Sequence, residues 1–348
     1  MRSCTNWSIR PFRPDAPLVV PRCRHLGRRE QLAWSPALPF TIATVAVPLV
    51  NPPKLRENTF NCTPAVGSWA SRVLQLWHLA SLDAPAVAVV WALAFASAVG
   101  VHLASWVPFL LACGTWTVYV GDRLLDAHRA IRSQDLSALR ERHYFHWRHR
   151  RSLIPVACAT AAIAVALIVV RMPAAVRDRN SVLAAAALVY FSGVHTTARL
   201  PIWLRRLVSL KLVSKELLVG LLFTAGSIAP TIARADSIGW PFGACFAIFV
   251  MLAWTNCSAI ESWESSRMPS GVTPHATVLA IACIAASGAM AFVNWRLSAL
   301  ACSAAISALL LSLLDRKRAA IPPLTLRALA DLVLLTPLVA VLLGANHP

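Results

Sequence analysis

Long apolar blocks, separated by short charged segments, are the feature that most constrains this chain of 348 residues. From residue 84 onward there are nine such blocks, most of them close to the ~20 residues that an α-helix needs to cross ~30 Å of hydrocarbon. Their apolar residues are continuous rather than alternating, which argues against membrane-spanning strands. The nine predicted spans are Ala84–Leu103, Trp106–Asp122, Leu153–Val170, Ser181–His195, Leu212–Ile232, Pro241–Ile260, Ala276–Val293, Leu297–Leu314 and Leu324–Leu343. The sequence therefore predicts an all-α integral membrane protein, with a domain of nine transmembrane helices in residues 69–348.

The charge of the chain supports this interpretation and gives an orientation. Apolar residues make up 57% of the chain and charged residues 14%, whereas soluble proteins carry about 25% charged residues. A soluble enzyme and a secreted disulfide scaffold are therefore excluded. The segments on one predicted side of the membrane carry 26 Lys and Arg residues, and those on the other side carry 5. This positive-inside bias predicts a multi-pass protein of the cell inner (plasma) membrane, with a cytoplasmic N-terminus and the C-terminus outside.

The same distribution accounts for the formal net charge of +18. Basic loops beside a bilayer attract anionic lipids, so we expect anionic membrane lipids as partners and no nucleic acid. Residues 1–68 are rich in Arg and Pro and show no helical or strand period. We expect them to be a disordered basic extension. The alternative is an over-extended start, with the native protein beginning near residues 68–74.

Two pairs of acidic residues lie at the ends of predicted spans. Asp122 and Asp126 close span two with i,i+4 spacing, and Glu261 and Glu264 close span six with i,i+3 spacing. Either spacing puts both carboxylates on one face of a helix, and both spans end on the predicted cytoplasmic side. Magnesium prefers oxygen ligands and is commonly shared between carboxylates and a substrate phosphate. The two pairs therefore predict a Mg²⁺ site that faces the cytoplasm.

Basic and amide side chains lie near these acids in the sequence. Arg123 follows Asp122, Lys215 opens span five on the same side, and Asn256 precedes Glu261 by five residues. These groups are expected to contact the diphosphate of a substrate. The alternative interpretation is that the charges are snorkelling residues at the lipid interface.

This arrangement resembles the UbiA superfamily of intramembrane prenyltransferases, over roughly residues 74–343. Members of that superfamily have nine helices, a cytoplasmic N-terminus and acidic motifs that end helices two and six. The first motif reads Asn-Asp-x-x-Asp-x-x-x-Asp. Asp122 and Asp126 match its last two acids, whereas Val118 and Tyr119 stand where the Asn and the first Asp would be. The second motif usually has Asp pairs four residues apart, whereas Glu261 and Glu264 are three apart, so the chain would be a divergent member.

The resemblance implies a UbiA-like helical bundle and a function. The expected reaction is Mg²⁺-dependent transfer of an isoprenyl group from isoprenyl diphosphate to a lipophilic acceptor, a quinone or lipid precursor. The alternative is a non-enzymatic lipid-binding or transport protein that retains the fold. For the enzyme, the predicted metal ligands and catalytic residues are Asp122, Asp126, Glu261 and Glu264, and the predicted diphosphate contacts are Arg123, Lys215 and Asn256.

Four other charged residues and one loop allow further structural predictions. The spacing of Arg327 and Asp331 within span nine predicts a structural i,i+4 ion pair. Asp83 and Asp315 stand alone and are interpreted as interfacial residues. Residues 140–151, between spans two and three, predict a basic amphipathic helix at the membrane surface, and by the resemblance this loop would cap the site.

Overall fold

The computed structural model describes residues 69–133, 139–196, 214–264 and 272–344, and all regular secondary structure in these ranges is helical. The predicted extension at residues 1–68 lies outside the described residues. The α-helices are α1 Trp69–Leu79, α2 Asp83–Ala98, α3 Trp106–Arg132, α4 Glu141–Arg148, α5 Arg150–Arg171, α6 Ala174–Thr196, α7 Lys215–Ile232, α8 Trp240–Glu264, α9 Val272–Met290, α10 Trp295–Lys317, α11 Pro323–Leu332 and α12 Pro337–Gly344.

Several of these helices can cross a membrane. Five are long and apolar enough, namely α5, α7, α8, α9 and α10, and α1 with α2 adds a sixth if this pair, bent by 86°, is one broken span. Charged residues occupy the second half of α3 and the start of α6, and α11 and α12 are individually short. The chain is therefore an all-helical, multi-pass membrane protein in its described part, and the count of nine spans stays a prediction.

The surface of α5 fits a lipid environment. Only 6% of its most apolar window is buried inside the protein. Val156, Val165, Val169 and Val170 all expose about half of their surface or more. In water such a large apolar surface would favour association with another apolar surface. In a bilayer the acyl chains cover it, which is consistent with the predicted third span.

Aromatic side chains fill the core where α2 meets α8. The rings of Trp91 and Phe249 stack with centroids 3.9 Å apart, and Phe95 meets Phe242 edge to face at 5.2 Å. All four side chains are almost fully buried. Helices α9 and α10 instead pack through small residues such as Ser287, whose hydroxyl lies 3.0 Å from that of Ser298. Small residues let helix backbones approach closely in a membrane.

Span nine is not one continuous helix. A 3-10 turn at Val333–Leu335 separates α11 from α12. The break frees backbone carbonyls, which must be bonded inside the protein because lipid offers no donors. The indole of Trp91 donates to the carbonyl of Leu334 at 2.9 Å, and the Ser307 hydroxyl donates to the carbonyl of Val333 at 2.7 Å. Neighbouring helices therefore satisfy the break and hold it in place.

A second interruption lies between α1 and α2. Ser81 adopts a left-handed conformation, with φ of 59°. The Leu82 amide donates to the Trp77 carbonyl at 3.1 Å, and the Ser81 amide donates to the His78 carbonyl at 3.0 Å. This is the Schellman pattern that ends a helix, with Ser where Gly is usual. It turns the chain sharply and brings α1 back toward α3 and α11.

Helix α3 differs from the predicted second span. The span was expected to end at Asp122, but the helix continues to Arg132. Asp122 and Asp126 therefore lie within the helix and not at its end. The charged residues after Asp122 do not stop α3, because in this half of the helix their side chains can reach solvent, α4 or neighbouring helices.

The close packing of α7 against α8 gives a stability test. A methyl group on Gly220 would lie 3.1 Å from the Trp254 nitrogen and 3.2 Å from the Val250 oxygen, both backbone atoms, whereas one on Gly226 meets nothing within 4 Å. Alanine raises helix propensity at both sites by about 1 kcal/mol, but at Gly220 the crowding costs about 1–3 kcal/mol. We expect Gly220→Ala to lower the melting temperature in detergent and Gly226→Ala to maintain or raise it. Equal melting temperatures for the two variants would contradict the close approach.

Candidate functional site

Charged side chains gather at one end of the bundle, where α4, α8 and α11 meet. The carboxylate of Glu264 forms ion pairs with Arg140, with Arg142 at 3.5 Å and with Arg327. Arg140 also lies 3.7 Å from Glu261. We call these five residues the outer cluster. It brings together the predicted second acid pair and three arginines from two other elements.

The two glutamates of the outer cluster differ in what they can bind. The Glu264 side chain is 3% exposed and is surrounded by guanidinium groups, whereas that of Glu261 is 57% exposed. A carboxylate already neutralised by three cations is a poor ligand for a divalent cation. Glu261 keeps the exposure that a metal ligand needs. The donor chemistry thus fits Mg²⁺ at Glu261 better than at Glu264.

Positive charge is in excess around Arg142. Burial, together with repulsion from Arg123, Arg327 and Arg140, lowers the pKa of Arg142 to about 9. The side chain still carries its charge at neutral pH. Burial is the largest cause of the shift, and the three neighbouring guanidinium groups add to it. An anion placed among these guanidinium groups would be stabilised by their charge.

Helix α4 connects the two predicted acid motifs. His143 lies 4.0 Å from Asp126, and its neighbour Arg142 contacts Glu264. Asp126 is 38% exposed, and Asp122 is half-buried one turn earlier. Within the surface helix predicted at residues 140–151, the structure forms α4 over Glu141–Arg148, lying across the space between the motifs. The partly exposed carboxylate of Asp126 and that of Asp122 beside it offer the oxygen ligands that Mg²⁺ prefers.

The start of α7 faces the same space. Tyr190 of α6 lies within electrostatic range of Asp122, Asp126 and Glu216. Glu216 follows Lys215, whose side chain is exposed. Helices α3, α6 and α7 therefore converge on the first acid pair. Lys215 lies at the edge of this region.

A second group of polar side chains lies deeper in the bundle. The Nδ1 atom of His78 is 2.5 Å from a carboxylate oxygen of Asp83 and 3.5 Å from one of Asp331. His78 and Asp83 are 1% and 3% exposed. The other oxygen of Asp83 accepts a hydrogen bond from the Ala84 amide at 2.9 Å, in the first turn of α2. These residues come from α1, α2 and α11.

Two further residues complete this group, which we call the inner cluster: His78, Asp83, Arg123, Asn256 and Asp331. The Asn256 amide donates to Asp331 at 2.9 Å, and a guanidinium nitrogen of Arg123 lies 3.5 Å from the His78 carbonyl oxygen. Asn256 and Arg123, predicted to contact diphosphate, are thus buried among these residues.

The inner cluster lies farther into the bundle than the outer cluster. Asn256 precedes Glu264 by two helical turns along α8, a rise of ~12 Å. Asp331 follows Arg327 by about one turn along α11, a rise of ~6 Å. The charged end of the bundle therefore has two layers, with the inner cluster below the outer cluster.

The donor atoms of His78, Asp83 and Asp331 lie within 4.8 Å of one another. The short contact between His78 and Asp83 is nevertheless that of a hydrogen bond, which occupies Nδ1. We therefore interpret the three residues as a hydrogen-bonded group and not as a metal centre.

The turn between α1 and α2 is fastened to its neighbours. The indole of Trp116 on α3 donates to the Ala80 carbonyl at 2.9 Å, and the Ser81 hydroxyl lies 3.1 Å from Nε2 of His146 on α4. The Nδ1 atom of His146 lies 2.8 Å from the Arg142 carbonyl oxygen. Helix α4 therefore touches both the outer cluster and the turn that carries His78.

Three interpretations of charged residues were wrong: the ion pair of Arg327 with Asp331, and Asp83 and Asp315 as lone interfacial residues. Arg327 and Asp331 do not form the expected pair, because Arg327 contacts Glu264 and Asp331 accepts from Asn256. Asp83 is a buried partner of His78 and not an interfacial residue.

Asp315 is also buried, at 5% exposure, and is not a lone interfacial residue. It accepts hydrogen bonds from the Trp263 indole at 2.9 Å and the Thr273 amide at 3.0 Å, so it joins α8, α9 and α10. His78 itself was missed, because no motif contains it. The signal that could have led to it is Asp331, an acid expected inside a span, which needs a buried partner.

The comparisons with known proteins give no match: no family model, no curated protein and no solved structure matches the chain. Two surface clefts of the described residues lie away from both clusters. One of about 410 Å³ is lined by residues 98–100 and 291–296, and another of about 390 Å³ by residues 99–102 and 234–237. They lie beyond the C-terminus of α2, ~24 Å along that helix from Asp83.

The burial of Glu264 gives a matched pair of variants. Glu264→Gln removes the one anion that three guanidinium groups share, and breaking such a buried pair costs about 3 kcal/mol or more. Glu261→Gln changes a mostly exposed ion pair, which is worth at most ~1 kcal/mol. We expect a clearly lower melting temperature for Glu264→Gln and almost none of that loss for Glu261→Gln. Similar losses in both would contradict the assignment of Glu264 as the shared counter-ion.

The environment of His146 predicts a pH dependence. Burial, reinforced by the positive charges of Arg123, His149 and Arg142, lowers its pKa from 6.5 to about 4. The folded state holds His146 neutral, whereas the unfolded state takes up a proton below about pH 6.5. The resulting stabilisation is complete above that pH and is lost as the pH falls toward 4, by up to ~1.4 kcal/mol per pH unit.

Hydrogen exchange of residues 141–148 between pH 7.5 and 4.5 measures this effect. We expect faster exchange in α4 as the pH falls, beyond the intrinsic change in exchange chemistry. His146→Gln keeps an amide near Ser81 but does not titrate, so its exchange should be much less sensitive to pH. The same pH dependence in both proteins would assign the effect to other groups.

Proposed function

We propose that this chain is a membrane-embedded transferase that moves an isoprenyl group from its diphosphate to a lipophilic acceptor. The observation that carries the proposal is the excess of arginine at the polar end of an apolar helical bundle. A diphosphate joined to an isoprenoid chain has the matching form, with a concentrated negative charge at one end and an apolar chain at the other. The sequence resemblance to the UbiA superfamily points to the same substrate.

The proposed site divides its work between arginines and carboxylates. Arg140, Arg142 and Arg327 bind the diphosphate, since guanidinium groups make paired hydrogen bonds to phosphate oxygens. Arg123 lies at the inner side of the same end. Glu264 holds the arginines in position when no substrate is bound. Lys215, exposed at the start of α7, adds only long-range attraction.

Asp122, Asp126 and Glu261 are the residues that would hold Mg²⁺. When bound, the metal would supply neutralisation of the charge that develops on the departing diphosphate. The arginines bind and orient the same group through their own hydrogen bonds. Apolar side chains of the bundle exclude water, which protects the electron-deficient isoprenyl carbon until the acceptor reacts with it.

The loop charges of the sequence assign this site to the cytoplasmic side of the membrane, with the C-terminus outside. An isoprenyl diphosphate is charged and does not cross a bilayer freely. The substrate would then enter from the cytoplasm, and the acceptor would enter from the membrane. Anionic lipids would surround the basic loops.

A non-enzymatic lipid-binding protein is the second candidate. The features that favour it are Val118 and Tyr119 at two positions where the UbiA motif carries polar or acidic ligands, and Glu264, which the arginines neutralise. Such a protein would use the arginines to hold a lipid phosphate without breaking a bond. The two candidates differ in one product, inorganic diphosphate.

Diphosphate release from isoprenyl diphosphates, measured in nanodiscs with a pool of phenolic and lipid acceptors, tests the proposal. We expect release to require Mg²⁺ and to be abolished in Asp122→Asn and Glu261→Gln. Arg140→Ala and Arg327→Ala should each weaken substrate binding by about 10-fold or more, since a hydrogen bond to a charged group contributes ~1.5–3 kcal/mol. Arg234→Ala, an exposed cation beyond the other end of α2, is the control and should bind normally.

Other outcomes separate the candidates. Substrate binding without diphosphate release, with every acceptor in the pool, would favour the non-enzymatic protein. Absence of binding would contradict the arginine site itself. In sealed vesicles of known orientation, release should occur only when the cytoplasmic face is exposed to substrate, and release from the other face would contradict the orientation.

A further inference from the structure

His78 has two ring nitrogens in very different situations. Nδ1 is held by Asp83 at 2.5 Å, with Asp331 at 3.5 Å. Nε2 is buried and has no hydrogen-bond partner among the described residues. A buried polar atom without a partner costs free energy. Such an atom in a charged cluster suggests a role that needs it to be available.

Another buried histidine of this region, His146, provides the comparison. His146 is as deeply buried as His78, but both of its ring nitrogens are bonded, one to the Arg142 carbonyl and one to the Ser81 hydroxyl. The fold can therefore satisfy a buried imidazole completely in this region. His78 is fixed through one nitrogen only, and the other keeps its lone pair.

The contact with Asp83 decides which lone pair that is. A carboxylate beside Nδ1 accepts a hydrogen bond from the N–H group there, so the nitrogen without a proton is Nε2. The same carboxylate stabilises the imidazolium that forms when Nε2 takes a proton, as the acid of a catalytic triad does. Asn256 holds Asp331 in turn, through its 2.9 Å hydrogen bond. His78 is thus oriented and made more basic by its neighbours.

The charges that face His78 favour one proton. The carboxyl groups of Asp83 on α2 and Asp331 on α11 lie near Nδ1, and Arg123 on α3 reaches the His78 carbonyl. Tyr119 of α3 lies within electrostatic range of both carboxyl groups. The Asp83 carboxylate therefore stabilises a proton on His78. On α4, Arg142 lies within electrostatic range of Asp331, and His146 is reached only through Ser81.

We propose that His78 is the general base of the transfer reaction, an inference that rests on the proposed function. Nε2 takes the proton from a hydroxyl group or an activated aromatic carbon of the acceptor. The acceptor atom forms its bond to the first isoprenyl carbon, and the bond from that carbon to the diphosphate oxygen breaks, with the electron pair leaving on the diphosphate. The imidazolium later releases its proton to water, which completes the cycle.

The layering of the site matches these roles. The leaving group sits among the outer arginines, and the base lies ~6–12 Å deeper along α8 and α11. The isoprenyl chain extends from the diphosphate into the apolar bundle, so the reacting carbon and the acceptor lie on the inner side. Asp83 and Asp331 are positioning residues, because they act on the substrate only through His78.

The test compares acceptor transfer with substrate binding in His78→Asn. Asparagine keeps an amide near the Nδ1 position that can donate to Asp83, but it cannot take a proton. We expect isoprenyl diphosphate binding within twofold of the wild type and acceptor prenylation lowered by at least 100-fold, since general-base catalysis contributes ~10²–10⁴-fold. His146→Gln, the matched buried histidine, should retain prenylation within about threefold at pH 7.5. His78→Gln repeats the test if His78→Asn does not fold.

The pH profile separates a base from a structural residue. In the wild type the prenylation rate should fall at low pH as His78 becomes protonated. In Asp83→Asn the fall in rate should begin at a lower pH, because the carboxylate that stabilised the imidazolium is gone, and the maximal rate should be reduced by about 10-fold or more. In His78→Asn the residual rate should show no such fall at low pH. The same fall in rate at low pH in His78→Asn as in the wild type would overturn the proposal.

Three further outcomes are decisive. Wild-type prenylation with a normal rate in His78→Asn overturns the base and leaves the proposed function standing. A wild type that binds isoprenyl diphosphate but prenylates no acceptor overturns both. A stoichiometric transition metal that copurifies with the wild type and is lost in His78→Asn also overturns the base, because the metal would occupy the ring nitrogen.

Discussion

Inside a bilayer, every backbone polar group and every charge must find its partner within the protein. In the described residues, helices are interrupted between α1 and α2 and between α11 and α12, and neighbouring helices bond the carbonyls that these interruptions free. Trp91 donates to the carbonyl of Leu334, and Trp116 donates to that of Ala80. Because these two indoles lie on α2 and α3, the interruptions fix how α1 and α11 meet those helices. The inner cluster forms here because His78 and Asp83 flank the first interruption and Asp331 lies beside the second.

Hydropathy alone predicts most of the helices, because the free energy of burying apolar residues in lipid depends on composition over ~20 residues and little on contacts. It does not predict where a helix continues through polar residues, and α3 therefore runs ten residues past its expected end at Asp122. Nor does it predict the 3-10 turn at Val333–Leu335, whose stability comes from donors on α2 and α10. The turn's only local signal is Pro337, which begins α12.

The candidate site was harder to predict than the fold. Asp126, Glu261 and Glu264 lie at the charged end as expected, but their partners come from distant parts of the sequence. His78 and Asp331 are 253 positions apart, and i,i+4 spacing pointed to the wrong partner for Asp331. Spacing rules describe one helix, whereas the free energy of a buried charge depends on every helix around it. Sequence reasoning therefore placed acids at the charged end but missed His78 and its two aspartate partners.

The two clusters also differ in charge, and this has a consequence for the proposed reaction. Three arginines against two glutamates leave the outer cluster positive, whereas the inner cluster holds the Asp83 carboxylate beside His78. Breaking the bond to diphosphate separates charge in the same sense, with the anion at the outer cluster and the electron-deficient carbon toward the inner one. Fixed charges that are already oriented stabilise such a transition state without the cost of reorganising solvent. Glu264 moderates the repulsion among the arginines before substrate binds, and an arriving diphosphate would replace its charge. The same ion pairs that stabilise the empty fold would thus hold the leaving group in position.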